Sequence, residues 1–181
     1  MVTGHRPNKL CNAYELYHPI NISIGKRMRE LVLSLAGYDS EEDEFAYHEP
    51  ITMISGMALG VDTVWAMVCL KLKRDFPNRF RLYCAVPCLN QEIRWKKKDQ
   101  ERYHDILKQA DEVYYVTDTE YTSICMQKRN EHMVNIADYV YAIWDGSPSG
   151  TKRCLDYAIE QQKPCQIDDP AEWIIAYQNR K

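Results

Sequence analysis

The sequence contains no run of about 18 apolar residues and no amino-terminal stretch that resembles a signal peptide. It also carries little excess charge, since the formal net charge of the 181 residues is −3 and no basic run exceeds Lys96–Lys98. The lack of a broad basic surface argues against a protein whose main partner is nucleic acid. We therefore predict a soluble, cytoplasmic protein that spans no membrane.

Cysteine spacing typical of metal or redox motifs is also missing, because no two of the seven cysteines form a CxxC pair. Several cysteines lie in apolar runs, which favours reduced, buried thiols in a cytosolic protein. Cys84 and Cys88 could supply half of a zinc site, but no second pair follows at a plausible spacing. The sequence therefore predicts no metal site and no required cofactor.

The length of the chain and the order of its elements predict the fold. At 181 residues and 21.3 kDa, the chain is long enough for one hydrophobic core, and we predict a single domain over residues 1–181. Strand patterns occupy residues 1–3, 51–55, 80–86, 112–116, 138–144 and 164–167. Helical patterns occupy residues 23–36, 99–110, 123–137 and 151–161, with further helices starting near 61 and after 170.

Strands separated by single helices indicate βαβ units. The predicted fold class is therefore α/β: a Rossmann-like, doubly wound, mainly parallel sheet with helices on both faces. The acidic segment 39–44 is interpreted as a solvated loop.

Two glycine-rich segments follow predicted strands and lead into helices, at residues 55–62 and 145–151. In such sheets, ligands bind beyond the carboxyl ends of the strands, and a helix amino terminus offers free N–H groups to a phosphate. Tight turns are the alternative interpretation. Neither segment matches GxGxxG or GxxxxGK[ST], which disfavours a standard NAD site and a P-loop. The candidate phosphate-binding residues are Gly4, His5, Arg6, Ser55, Gly56, Gly60, Asp62, Asp145, Gly146, Ser147, Ser149, Gly150 and Thr151.

Arg129 falls on the apolar face of a predicted helix, between Met126 and Met133. A buried guanidinium needs an acceptor. One interpretation is an internal salt bridge or a side chain that extends to solvent. The other is a planar group that holds a ligand phosphate or carboxylate.

Other candidate residues also have two interpretations. His5 and Arg6 suit an anionic ligand, although His5 could simply bond a loop carbonyl. Asp62 is a favourable charge at a helix start, or an acceptor for ribose hydroxyls. Trp95 offers an aromatic face for stacking a base, or packs in an ordinary way.

These motifs occur together in a known family. The run 126-MQKRNEHMVNIADYVYAIWDGSPSGT-151 resembles the core of the LOG-type phosphoribohydrolases. TGHRP at 3–7, SGMALGVDTVWA at 55–66 and QEIRW at 91–95 resemble the YpsA-like branch of the SLOG superfamily, which also includes the DNA-processing protein DprA. The resemblance covers roughly residues 2–165.

The resemblance implies a Rossmann-like sheet with a nucleotide or ADP-ribose-like ligand, and family members often form homo-oligomers. It implies phosphate contacts for the turn 146–151 and for Gly56, Gly60 and Asp62. Arg129 would correspond to the essential LOG arginine, and Trp95 to a pocket residue.

The sequence departs from the LOG pattern where those enzymes carry a leucine and two glutamates near the scissile bond. Lys152, Arg153 and Cys154 stand there instead. We therefore predict a cytosolic binding protein, a sensor or a sequestering sponge, for a nucleotide-derived ligand such as an ADP-ribose or NAD-related molecule.

Two alternatives remain open at this point. An N-glycosidase acting on nucleoside monophosphates or NAD-like substrates would need a substitute carboxylate, from Asp62, Glu92 or Asp145, together with Arg129. DprA-like binding of single-stranded DNA has one hint, the basic run Lys96–Lys98 beside Trp95.

Overall fold

The computed structural model describes residues 1–180, and its strands alternate with helices as the sequence predicts. The strands are β1 (Val2–Gly4), β2 (Tyr38–Asp39), β3 (Glu44–Phe45), β4 (Ile51–Ser55), β5 (Phe80–Val86), β6 (Glu112–Tyr115), β7 (Val140–Ile143) and β8 (Cys165–Asp168). The helices are α1 (Pro19–Leu35), α2 (Val61–Asp75), α3 (Lys97–Gln109), α4 (Cys125–Ile136), α5 (Gly150–Glu160) and α6 (Ala171–Gln178).

Two local predictions were wrong. The acidic segment 39–44 is not a plain loop, because its ends pair as the antiparallel strands β2 and β3, with Phe45 packed against Tyr38 and Phe76. Helix α1 begins at Pro19 and not at Ser23. Proline fits the first helical turn, and the His18 side chain accepts a hydrogen bond from the Ile20 N–H.

The sheet has the order expected of a doubly wound fold. Parallel ladders join β1, β7 and β8 in the order β1-β7-β8, and join β4, β5 and β6 in the order β4-β5-β6. These two groups lie side by side at β1 and β4. Helices α1, α2, α3 and α6 contribute to the core on one face, and α4 and α5 to the core on the other.

This connectivity places a crevice at the carboxyl edge of the sheet, the edge where the parallel strands end. The chain leaves β4 toward one face, through α2, and leaves β7 toward the other face, through α5. The two loops separate beside the end of β1, which is the usual ligand position in such sheets.

All seven cysteines are unpaired, and burial raises the pKa of the Cys84 thiol to about 12. Among residues 1–180, no group of three or more His, Cys, Asp or Glu side chains is arranged to hold a metal ion. None of the helices in that range is both long enough and apolar enough to cross a bilayer.

Candidate functional site

A cavity of about 280 Å³ lies at the carboxyl edge of the sheet. Its walls come from the loop after β1, the loop after β4, the first turns of α4 and the amino terminus of α5. The predicted site residues that line it are Gly4, His5, Arg6, Asp62, Arg129, Ser149, Gly150 and Thr151. Segments far apart in the sequence therefore meet at one concave surface.

Arg129 and Asp62 form a buried ion pair across this cavity wall. The Arg129 Nη1 atom lies 3.0 Å from Asp62 Oδ2, and the two side chains are 7% and 8% exposed. The same carboxylate oxygen accepts a hydrogen bond from the Ala58 N–H at 3.3 Å. The acceptor that Arg129 requires is therefore internal, although its buried Nε has no hydrogen-bond partner within residues 1–180.

Gly56 provides the space that this ion pair occupies. A Cβ atom at position 56 would lie 1.4 Å from Arg129 Nη1 and 2.8 Å from Asp62 Oδ2. The absence of a side chain at this position is therefore needed for the guanidinium. Gly56 does not line the cavity.

The amino terminus of α2 is closed by groups of the protein itself. Gly60 has φ +97, and a Cβ atom there would lie 2.5 Å from the His5 carbonyl oxygen. That oxygen accepts a hydrogen bond from the Val61 N–H at 3.3 Å. The Ser55 hydroxyl, fully buried, donates to the Asp62 carbonyl at 2.8 Å. The first glycine-rich segment is thus tightly packed against the loop after β1.

The amino terminus of α5 is open. A Cβ atom added at Gly150, or at Gly146 in the preceding turn, would meet no atom within 4 Å. The Ser149 hydroxyl caps the helix by accepting from the Lys152 N–H at 3.2 Å. Thr151, in the first turn, is 6% exposed and lines the cavity. This helix end therefore presents N–H groups and a hydroxyl to an accessible space.

Three further cationic side chains, Arg6, Lys9 and Arg153, line the cavity. None of them forms a hydrogen bond or an ion pair with another side chain of the described residues. Arg6 is exposed at the cavity mouth. Because Asp62 is the one carboxylate on this wall within residues 1–180, the cavity favours anions.

His5 and Asp145 join β1 to the turn after β7. His5 Nε2 lies 3.1 Å from the Asp145 main-chain N and 2.9 Å from Asp145 Oδ1. Asp145 also accepts from the hydroxyl and the N–H of Ser147, and these bonds, with His5, lower the pKa of Asp145 to about 2. Asp145, Gly146 and Ser147 do not line the cavity. They form the turn that supports the α5 terminus.

The structure does not bring Trp95 or Glu92 to this cavity. Trp95 packs edge-on against Tyr103, with ring centroids 5.4 Å apart. Glu92 Oε1 lies 3.4 Å from His104 Nε2. Their loop still supports the site, because Gln91 donates from Nε2 to the Met57 carbonyl at 2.8 Å.

Several cavity residues, including Asn8, Lys9, Gln127 and Asn130, were not among the predicted site residues. Asn130 is four residues after Met126, which also lines the cavity, so helical spacing places the two side chains on the same side of α4. Lys9 carries no comparable signal, because its position depends on the short 3-10 turn Pro7–Lys9 that redirects the chain after β1.

The basic run proposed as a hint of DNA binding is partly neutralised. Lys98 forms an ion pair with Glu15, and Lys97 Nζ lies 3.9 Å from Glu101. None of the three lysines lines the cavity.

Larger depressions of about 630 and 610 Å³ lie near the amino ends of the strands, around Phe80 and Ile51, and others of about 750 and 480 Å³ lie beside α3 and at the loop after β6. We assign function to the smaller cavity because it joins the loops after β1 and β4 to the amino terminus of α5.

The fold and the site define a Rossmann-like α/β protein with a cation-lined cavity at the carboxyl edge of its sheet. Residues 1–178 match the family described as the YspA SLOG family, YpsA. The chain belongs to this family, which confirms the resemblance seen in the motifs.

Several relatives share substantial identity with the chain. It is 33% identical over 116 residues to "Uncharacterized SPbeta prophage-derived protein YoqJ" of Bacillus subtilis, covering 58% of this chain and 67% of the relative. It is 34% identical over 123 residues to a UPF0398 protein of Halalkalibacterium halodurans, covering 65% of this chain and 60% of the relative. A UPF0398 protein of Bacillus cereus is 29% identical over 178 residues, covering 97% of this chain and 89% of the relative. The matches to the first two thus span about two thirds or less of those relatives.

Proposed function

We propose that the protein binds a phosphorylated, nucleotide-derived ligand in the cytoplasm, such as an ADP-ribose or NAD-related molecule, as a sensor or a sequestering protein. The observation that carries this proposal is the open amino terminus of α5 beside Arg6, Lys9 and Arg153, none of which forms an ion pair with an acidic side chain of residues 1–180. Unpaired cations around a free helix terminus suit a phosphate group.

The size of the cavity suits one end of such a ligand. At about 280 Å³, it lies just below the roughly 300–1,000 Å³ typical of sites that enclose whole small molecules. A phosphate and the attached sugar would occupy the cavity, with Thr151 and the α5 N–H groups on the phosphate. The remainder of the ligand would extend across the loops at the carboxyl edge.

The positions of the carboxylates favour binding over N-glycosidic hydrolysis. Asp62 is held by Arg129, and Asp145 is bonded to Ser147 and His5 outside the cavity. Glu92 also lies outside it. A general acid or base must reach the reacting group, and no unengaged carboxylate within residues 1–180 lines the cavity.

Isothermal titration calorimetry tests the proposal with ADP-ribose, cyclic ADP-ribose isomers, NAD and nucleoside monophosphates. Arg153→Gln should weaken binding about tenfold or more, because a hydrogen bond to a charged group contributes roughly 1.5–3 kcal/mol. Arg153 is exposed and has no ion-pair partner among residues 1–180, so the variant should fold normally.

Arg74→Gln is the matched control. Arg74 is an exposed arginine in the last turn of α2, at the other end of that helix from the cavity. Its replacement should leave affinity unchanged. The proposal is wrong if the folded wild-type chain binds none of these molecules, and chromatography of free base after incubation would instead identify a hydrolase.

A further inference from the structure

Exposed apolar side chains gather on the loops at the carboxyl edge. Tyr14, after β1, is 36% exposed; Leu89, after β5, is 55% exposed; Tyr121, after β6, is 61% exposed. Because the strands are parallel, these loops all lie on the edge that carries the cavity. We call these three residues the apolar rim.

Hydrogen bonds hold two of these loops together. The Leu89 N–H donates to the Thr119 carbonyl at 3.0 Å, and the Tyr121 N–H donates to Asn90 Oδ1 at 2.9 Å. The Thr117 hydroxyl donates to the Pro87 carbonyl at 2.7 Å. The loops after β5 and β6 therefore form one continuous surface, and Tyr121 is anchored through its main chain while its ring stays exposed.

The loop after β1 and the segment before α4 connect the apolar rim to the cavity. Arg6, which is on the same loop as Tyr14, lines the cavity, and so does Met126, five residues after Tyr121. Lys96 adds a further charge, with its Nζ 6.0 Å from the centre of the Tyr14 ring. Aromatic faces and a cationic cavity thus adjoin one another.

We propose that Tyr121 stacks on the planar base of the ligand whose phosphate occupies the cavity, with Leu89 and Tyr14 beside it. This inference rests on the proposed function and adds a specificity-determining residue to it. Stacking on aromatic side chains tolerates any base, since every base has a π face. Trp95, the aromatic residue that the family resemblance suggested, is packed against Tyr103 and lies outside the cavity.

The test compares AMP with ribose 5-phosphate, which carries a hydroxyl group where AMP carries adenine. Calorimetry on the wild-type chain should show AMP binding roughly tenfold to a hundredfold more tightly than ribose 5-phosphate. Tyr121→Ala should remove most of this difference in affinity, because it should weaken the binding of AMP and leave that of ribose 5-phosphate unchanged. Tyr121→Phe keeps the ring and should preserve the ratio.

Tyr47→Ala is the matched control, because Tyr47 is 63% exposed and lies before β4, at the opposite edge of the sheet. It should leave both affinities unchanged. Equal binding of AMP and ribose 5-phosphate by the wild-type chain would overturn the stacking role and leave phosphate binding intact. The stacking role would also be overturned if Tyr121→Ala weakened the binding of both molecules equally, or the binding of neither. Failure of the whole ligand panel to bind would instead remove the proposed function itself, and the stacking role with it.

Discussion

The amino termini of α2 and α5 look alike in sequence but differ in structure. Both follow a buried parallel strand, and both are preceded by glycine within a short polar segment. At α2, each glycine position is crowded by atoms of the protein, from Arg129 at Gly56 and from His5 at Gly60. At α5, Gly146 and Gly150 have no neighbour within 4 Å of a Cβ position.

The difference shows that glycine before a helix has two separate uses. At α2, it lets the loop after β1 and the Arg129 guanidinium approach the backbone, so the segment stabilises the junction of several elements. At α5, it leaves the N–H groups accessible. Ligand binding is therefore expected to depend on α5 and its neighbouring cations, and stability to depend on α2.

The largest effect is expected from Gly60→Ala, compared with Gly146→Ala. Both glycines have positive φ, +97 and +82, so both variants bear backbone strain. Only Gly60 would also place its Cβ 2.5 Å from a backbone oxygen. We expect Gly60→Ala to lower the free energy of unfolding by about 4 kcal/mol, and Gly146→Ala by about 1 kcal/mol.

Urea denaturation of both variants measures these free energies. Equal losses for the two glycines would show that crowding at α2 contributes nothing beyond the backbone conformation. The contrast between the two helix termini would then be wrong.

The next effect concerns the ion pairs near the two termini. Asp62→Asn leaves the Arg129 charge buried without a counter-charge, and should lower the free energy of unfolding by about 3 kcal/mol. Lys152→Gln removes the ion pair of α5 with Asp156, whose partners are 46% and 50% exposed. Lys152→Gln should lower the free energy of unfolding by less than about 0.5 kcal/mol.

A double-mutant cycle sharpens this comparison. Asp62→Asn combined with Arg129→Gln removes both charges, so the double variant should be more stable than Asp62→Asn alone. Strictly additive losses would mean that the two side chains act independently, despite their 3.0 Å separation.

The fold was largely predictable, because buried parallel strands and amphipathic helices have different periodicities along the chain. Strand β7, buried at all four positions, is one such case. The β2–β3 hairpin was missed because its strands are two residues long and lie in an acidic segment. Aromatic packing of Phe45 across the fold stabilises it, and local sequence does not reveal such contacts.

The candidate site was predictable only as a set of loops. The rule that ligands bind at the carboxyl edge selects the segments after β1, β4 and β7, and these do meet at the cavity. Which member of each segment faces the cavity depends on tertiary contacts. No local pattern decides that Arg129 binds Asp62, or that Trp95 packs against Tyr103.

The smallest effect is a pH dependence of stability at the open terminus. Hydrogen bonds from Ser147, with a contribution from His5, lower the Asp145 pKa from its ordinary 3.8 to about 2. A depressed carboxyl pKa stabilises the fold above about pH 4, and this contribution is lost as the pH falls toward 2. Asp145 is about one third exposed, so solvent screening reduces the effect.

Denaturation at pH 5, 4, 3 and 2 should therefore show the wild-type chain converging on Asp145→Asn. Ser147→Ala removes the hydroxyl that lowers this pKa most, so its pH-dependent loss of stability should be smaller and should be complete at a higher pH than in the wild type. Parallel curves for the wild type and Asp145→Asn would contradict this account of the turn. Convergence would instead indicate that the turn below α5 is held by the protein's own hydrogen bonds. The amino terminus of α5 would then be formed before any ligand binds. It would be as well ordered as the amino terminus of α2 and would differ from it only in being accessible.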